Sequence, residues 1–258
     1  MLRSVKELHG YNVFATDGNF GKVHEFLFDD QSWTIRYLVI DTGKWLPGRK
    51  ILITPDQLDK PEWSDKQFPV NLSKKQIENS PSIEEDEPVS RQHEEALSKY
   101  FDMRPYWTGG VMGGAYVAPT NVGDQSGTSV RANQKKGAVE EEEKPKDPNL
   151  RSTKEVREYT IEASDGDIGH LEDFIVDDDT WIIRYIVVET KNWLPGKKVL
   201  IPIPAIETIN WADVHVRLDM TRQQIKDSPE YDPAQPINRE QEEVLYDFHG
   251  RPRYWESH

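Results

Sequence analysis

Over residues 11–70, and again over 159–218, apolar residues come in short runs broken by Asp, Gly and Pro, the pattern of strands rather than helices. Residues 12–15 and 160–163 each lead into an Asp-Gly pair, at 17–18 and 165–166, which predicts a hairpin because Gly tolerates positive φ. Gly21 and Gly169 follow where a bulge or a tight turn exit fits. Strands are predicted next at 22–28 and 170–176. After the acidic turns at Asp29-Asp30 and Asp177–Asp179 come strands at 35–41 and 183–189. In the first of these, alternation puts Ile35, Tyr37 and Val39 on one face and Arg36, Leu38 and Ile40 on the other. Both faces are largely apolar, which predicts burial on two sides. Segments 50–53, 68–70, 198–201 and 214–218 complete the set, and the close spacing of turns predicts a small antiparallel barrel in each half.

Helical signals come later in each half. Ser73 with Gln76, and Thr221 with Gln224, match capping boxes, and Ser80-Pro81 and Ser228-Pro229 end those short helices. A second helix is expected near Ser90 and near Asn238, its apolar face carried by Leu97, Tyr100 and Phe101 or by Val244, Leu245 and Phe248. The two sets of signals coincide because the chain is internally duplicated. Shifted by 148 positions, residues 2–107 align with 150–255 without a gap, and 39 of the 106 pairs are identical. The division predicted is a domain over 1–107, a flexible Gly-rich and acidic linker over 108–149, and a second domain over 150–258.

What the copies retain bears on function. All eight tryptophans are matched, Trp33 with Trp181, Trp45 with Trp193, Trp63 with Trp211 and Trp107 with Trp255, whereas no histidine faces a histidine. A histidine-based reaction centre common to both copies is therefore excluded, and the repeat reads as scaffold and binding surface. Net charge is −14, with 14 Lys and Arg against 18 Asp and Glu in residues 1–107 and 13 against 22 in residues 150–258. Neither half has the basic surplus that phosphate-backbone binding draws on, so direct nucleic-acid binding is not expected. The absence of cysteine excludes disulfides and thiolate chemistry and suits a reducing cytoplasm, the location expected. No apolar stretch is long enough for a membrane span, which leaves peripheral association through a partner.

The Leu-Arg-Ser start with an early Lys-Glu, the Asp-Gly turn, Gly21 or Gly169, the strand containing Ile-Arg-Tyr, and WLPGRK or WLPGKK before a short strand together resemble the PRC-barrel domain. The resemblance covers residues 2–80 and 150–228. It implies a mainly β chain of two small antiparallel PRC-type barrels, each followed by short helices. The domain takes its name from the cytoplasmic part of the photosynthetic reaction-centre H subunit and also forms the C-terminal domain of a ribosome-maturation factor of the RimM type. What it implies for function is docking to other proteins without catalysis and without a cofactor. Accessory roles at a photosynthetic membrane complex, or in ribosome and RNA processing, are the alternatives it raises. The chain lacks the membrane helix of the one and the separate N-terminal domain of the other.

Two groups of residues are candidates for interaction. Trp45, Leu46 and Pro47, with Trp193, Leu194 and Pro195, place large apolar groups in a loop, followed by Arg49 and Lys50 or Lys197 and Lys198. An exposed apolar tip beside positive charge suits a docking contact. The same residues also fit a Trp folded over the barrel mouth, or two loops that meet across an intramolecular pseudo-twofold, as in a homodimer. Arg36 and Arg184 interrupt the most apolar strand of each copy, and a charge there needs a carboxylate or solvent. Salt bridges to Asp29 and Asp177 are expected, with a partner-facing arginine as the alternative. The acidic turns lack the spacing of a calcium loop and read as solvated turn acids, so no metal site is expected.

Overall fold

A computed structural model describes residues 1–81, 83–84 by backbone alone, 89–108, 149–190 and 197–256. In the first half β1 (Leu2–Ser4) and α1 (Val5–Leu8) precede β2 (Asn12–Ala15), β3 (Gly18–Asp29), β4 (Thr34–Asp41), β5 (Arg49–Ile53), β6 (Gln67–Pro69), α2 (Lys74–Glu78), β7 (Ile83–Glu84) and α3 (Arg91–Tyr100). The second half runs β8 (Leu150–Ser152), α4 (Thr153–Val156), β9 (Thr160–Ala163), β10 (Gly166–Asp177), β11 (Ile183–Glu189), β12 (Lys198–Pro202), β13 (Ile206–Asn210), β14 (His215–Leu218), α5 (Arg222–Asp227) and α6 (Arg239–His249). Of the expected linker, residues 109–148 lie outside the described residues.

The strands form two seven-stranded mixed sheets, and neither closes into the all-antiparallel barrel expected from the sequence. The first follows the order β6-β2-β3-β4-β5-β7 and the second β12-β11-β10-β9-β14-β13. In each, one pair is parallel, β2 with β6 and β9 with β14. The cause is the connection after β5 and β12. It is longer than a hairpin and passes through a 3-10 turn; in the first half it lays β6 along β2 in the same direction, and in the second it leads through β13 to β14, which lies along β9.

The hairpins differ from expectation by one position. Ala15 pairs with Gly18 and Ala163 with Gly166, so Thr16-Asp17 and Ser164-Asp165 form the turns and the glycine opens the following strand at φ near +125°. Each turn aspartate then caps a helix. Asp17 Oδ1 accepts from the backbone N–H of Lys74 at 2.8 Å, and Asp165 Oδ1 from that of Arg222 at 2.7 Å. The capping boxes at Ser73 and Thr221 are present as the sequence predicts.

The first strand of each half pairs with the other half. β1 lies antiparallel to the end of β10, Leu2 opposite Asp177, and β8 lies antiparallel to the end of β3, Asp29 opposite Leu150. β3 has room for this because β2 accompanies it only over Gly18 to Lys22, leaving the edge at Leu27 to Asp29 for β8. At the centre of the arrangement Thr34 bridges to Ile182, its counterpart in the repeat. Ile35 N–H donates to Trp181 O at 2.8 Å and Ile183 N–H to Trp33 O at 2.7 Å. Such reciprocal contacts define an approximate twofold axis within one chain.

One apolar core therefore serves both halves. Phe26, Phe28 and Phe68 share it with Phe174, Trp181 and Ile186. The Trp181 ring lies 6.2 Å from Phe26 and 6.1 Å from Phe68, and Phe28 lies 5.5 Å from Phe174. On the outer face of each sheet a smaller cluster packs under a helix, Tyr37, Val39 and Leu52 against Leu97 of α3, and Tyr185, Val187 and Leu200 against Leu245 and Tyr246 of α6. Ile35 faces the shared core with Leu38 and Ile40, not the outer cluster with Tyr37 and Val39 as strict alternation predicts. The register explains this. Tyr37 pairs with Leu27 and Ile35 with Phe28, so Arg36 is an extra, bulged residue that resets the parity. Arg184 occupies the same bulge in β11. Among the described residues no helix is long and apolar enough to cross a membrane.

Candidate functional site

The Trp-Leu-Pro-Gly loop of the first half turns inward. Trp45 is half-buried with its ring edge-on to Phe20 at 6.2 Å, Leu46 packs on the core, and Pro47 and Gly48 are exposed. Lys74 Nζ stands 5.7 Å from the Trp45 ring centre. The basic residue that follows is occupied within the fold. Arg49 donates to the carbonyls of Glu78 and Ser80, each at 3.2 Å, and so caps the C-terminus of α2, where helix carbonyls lack partners. Lys197 does the same for α5, donating to Lys226 O and, at 2.9 Å, to Ser228 O. Lys50 lies 4.0 Å from Glu25, and Lys198 lies 3.3 Å from Glu172. These basic residues hold helix ends and strand neighbours in place. Trp193, Leu194 and Pro195 lie outside the described residues.

The bulge turns Arg36 and Arg184 away from both apolar faces. Arg184 Nη2 lies 3.5 Å from Asp177 Oδ2. Arg36 reaches Asp29 indirectly, since its Nη2 donates to Ser32 Oγ at 3.0 Å and that hydroxyl donates to Asp29 Oδ1 at 2.8 Å. The direct Arg36–Asp29 bridge expected from the sequence is thus replaced by a serine relay, because Asp29 Oδ1 also accepts the Ser32 backbone N–H at 2.7 Å and closes its own turn. Thr180 stands at the Ser32 position and donates to Asp177 Oδ2 at 3.0 Å. Asp30 and Asp178 are not simply solvated. They pair with Arg151 at 2.9 Å and Arg3 at 2.6 Å, the arginines of the exchanged strands.

Both bulged guanidiniums end in a buried cluster that the sequence reading missed. Arg36 lies 4.1 Å over the Tyr106 ring and Arg184 4.0 Å over Tyr254. Beneath them Glu94, at 0 % exposure, accepts from the Tyr37 and Tyr106 hydroxyls at 3.0 and 2.9 Å. Glu242, at 3 % exposure, accepts from Tyr185 and Tyr254 at 2.7 and 2.8 Å. Arg91 and Arg239 complete the pairing at 3.1 and 2.9 Å and stack on Trp107 and Trp255 at 4.1 Å each. Burial, reinforced by the adjacent carboxylate, pushes the Tyr37 and Tyr254 hydroxyls well above the usual phenol range. Burial and the neighbouring Tyr246 do the same to Tyr185. Protonated phenols that donate to a buried carboxylate lock a helix to a sheet. Arg-x-x-Glu on a helix reads as an exposed i,i+3 pair. The signal that marks it is identity in both copies of Arg91 with Arg239, Glu94 with Glu242 and both tyrosine pairs.

The outer surface of the second half carries a cleft of about 360 Å³ between α6 and the segment 229–238. Leu200, Ile237 and Leu245 form its apolar side and Glu230, Asp232 and Glu240 its acidic one. Val244, 58 % exposed, projects beside it, and Phe248 is exposed one turn on. A second, shallower depression beside Trp45 includes Phe20, Lys22, Asp41 and Lys74. Among the described residues two groups have donor atoms close enough to share an ion, Asp177 with Asp178 and Asp179, and Glu158 with His170 and Glu172. Asp177 and Asp178 are engaged by the arginines already described.

No curated protein matches the chain. Residues 153–220, from α4 through β14 to the residue before the α5 cap, match the family model of the PRC-barrel domain, so the second half contains a PRC-barrel domain.

Proposed function

We propose that this chain is a non-catalytic docking protein built from two PRC-barrel modules, and that it receives a basic segment with an apolar anchor in the cleft beside α6. Support for the second module is the gapless 148-residue register, which carries the first half's β2 to β6 onto the matched domain. The observation that carries the docking reading is the cleft itself. Apolar Leu200, Ile237 and Leu245 lie next to three carboxylates, and Val244 is left bare where burial of an aliphatic side chain would gain roughly 1.5–3 kcal/mol. The second half's 13 basic against 22 acidic residues favour a positively charged partner. Among the described residues, matched groups such as Arg49 with Lys197 and Glu94 with Glu242 are spent on internal contacts, which favours a scaffold over turnover.

The test places a photo-crosslinking phenylalanine at position 244 and, as a control, at the exposed position 64. One discrete protein adduct at 244 alone is expected. Once purified, that protein should bind the chain at least about tenfold more weakly when Glu230→Lys and Glu240→Lys are combined, since close interfacial charge pairs are worth more than 1.4 kcal/mol. Equal adducts at 64 and 244, or steady turnover of a small substrate by the purified chain, overturns the reading. A ribosomal protein and a component of a photosynthetic membrane complex are the partners the family resemblance raises, and the identity of the adduct decides between them.

A further inference from the structure

One histidine of the second half stands in a setting that nothing above uses. His170 on β10 has a side chain only 9 % exposed, and among the described residues it makes no hydrogen bond. Its Nε2 faces three carboxylates. Glu189 Oε2 is 3.2 Å away, Glu172 Oε2 3.7 Å and Glu158 Oε2 3.9 Å. The backbone brings them there by three separate routes. Glu189 is the direct cross-strand partner of His170, Glu172 is the bulged residue two positions along β10, and Glu158 sits in the turn before β9. The Glu158, His170 and Glu172 donor atoms all lie within 4.8 Å of one another.

We infer that His170, Glu158 and Glu172 form a binding site for a first-row divalent transition-metal ion, with Glu189 beside the imidazole. An imidazole with carboxylates is a donor set for Zn²⁺, Mn²⁺ or Fe²⁺. Metal–ligand bonds of about 2.0–2.2 Å place donors in a tetrahedral shell roughly 3.3–3.5 Å apart. The contacts of His170 with Glu172 and Glu158, at 3.7 and 3.9 Å, come near that separation, and all three donors lie within 4.8 Å of one another. Glu172 is prepared for the role. Lys6, from the segment after the exchanged strand β1, and Lys198 both engage Oε1, which leaves Oε2 turned to His170.

The site exists once. At the matched positions the first half has Lys22 for His170, His24 for Glu172, Asp41 for Glu189 and Gly10 for Glu158. A lysine at the position of His170 is therefore compatible with this strand, and that supplies a variant that separates a metal site from a structural ion pair. His170→Lys places an ammonium among the carboxylates and removes the imidazole ligand. Calorimetric titration of the full chain, stripped with chelator, with Zn²⁺ and with Mn²⁺ should give one equivalent bound to wild type. Binding should weaken by at least about tenfold in His170→Lys and in Glu172→Gln and stay unchanged in His215→Gln, a histidine elsewhere on the second half. The metal should also raise the Tm of wild type but not of His170→Lys, as expected when an ion binds only the folded state. Failure of wild type to bind either ion overturns the proposal. So does binding that survives His170→Lys.

Discussion

At the scale of single residues, the triplet Leu-Arg-Ser at positions 2–4 and 150–152 shows how much one short motif does. Leu2 and Leu150 pack under the outer clusters, Arg3 and Arg151 pair with Asp178 and Asp30, and Ser4 and Ser152 cap α1 and α4 while donating to Asp173 and Glu25 across the halves. That contact buries Asp173 nine-tenths, and desolvation raises its pKa to about 6, against hydrogen bonds from Ser4, Phe174 and Lys6 that favour the charged form. Between the unfolded value of 3.8 and about 6 the folded chain binds more protons at this residue, so its contribution to stability is lost as pH rises through that window. His9 and His249 have the opposite sign. Burial lowers both from 6.5 to about 4, helped at His9 by Arg157 and Lys154 from the other half, so stability falls as pH drops from 6.5 towards 4. Urea unfolding at pH 4.5 and pH 7 should therefore show Asp173→Asn gaining on wild type at the higher pH and His9→Gln gaining at the lower. Parallel pH profiles for wild type and both variants would exclude these assignments.

At the scale of elements, the glycines and bulges set where each strand can lie. A Cβ on Gly169 would stand 2.0 Å from Glu189 O, and on Gly21 2.4 Å from Asp41 O, so close approach of β3 to β4 and of β10 to β11 requires glycine at both places although neither has positive φ. Gly169→Ala should destabilise the chain by about 3 kcal/mol, the upper range for overpacking, because the clash is with backbone that cannot rotate away. Gly250→Ala, at φ +61° with open space around it, should cost only about 1 kcal/mol. A Gly169→Ala midpoint in urea equal to that of wild type would exclude the close-approach account. The strands with strong apolar runs, β4 and β11, and the capped helices α2, α3, α5 and α6 were legible in sequence, because their signals are local. Three features were not. β1 and β8 are three residues each and pair with a distant half, β13 (Ile206–Asn210) has three largely exposed residues and no strong apolar run, and the bulges at Arg36 and Arg184 show only in the register with the neighbouring strand. Alternation alone assigns Ile35 to the wrong face for that reason.

At the scale of the whole molecule, the repeat first reads as two independent domains, but the contacts make each half incomplete without the other. β1 belongs by hydrogen bonding to the sheet that carries β10, β8 belongs to the sheet that carries β3, and Trp181 inserts between Phe26 and Phe68 in the core of the first half. Sequence could reveal the duplication but not this exchange, since a strand's partner is set by which edge is open. The arrangement is that of an isologous dimer in which the two subunits have become one chain. Its stability should then depend on association of the halves more than on the covalent connection, which adds effective concentration but no contact. Residues 1–108 and 149–258 produced as separate chains in one cell should co-purify as a 1:1 complex that unfolds in a single transition with concentration-dependent Tm. Arg3→Glu with Arg151→Glu, which sets like charge against Asp178 and Asp30, should dissociate that complex at concentrations where the unmutated fragments stay together. It should have a smaller effect on the intact chain, where the partner edge is always at hand. Two fragments that fold separately, each monomeric with its own sharp transition, would show that the exchanged strands are ornament on independent domains.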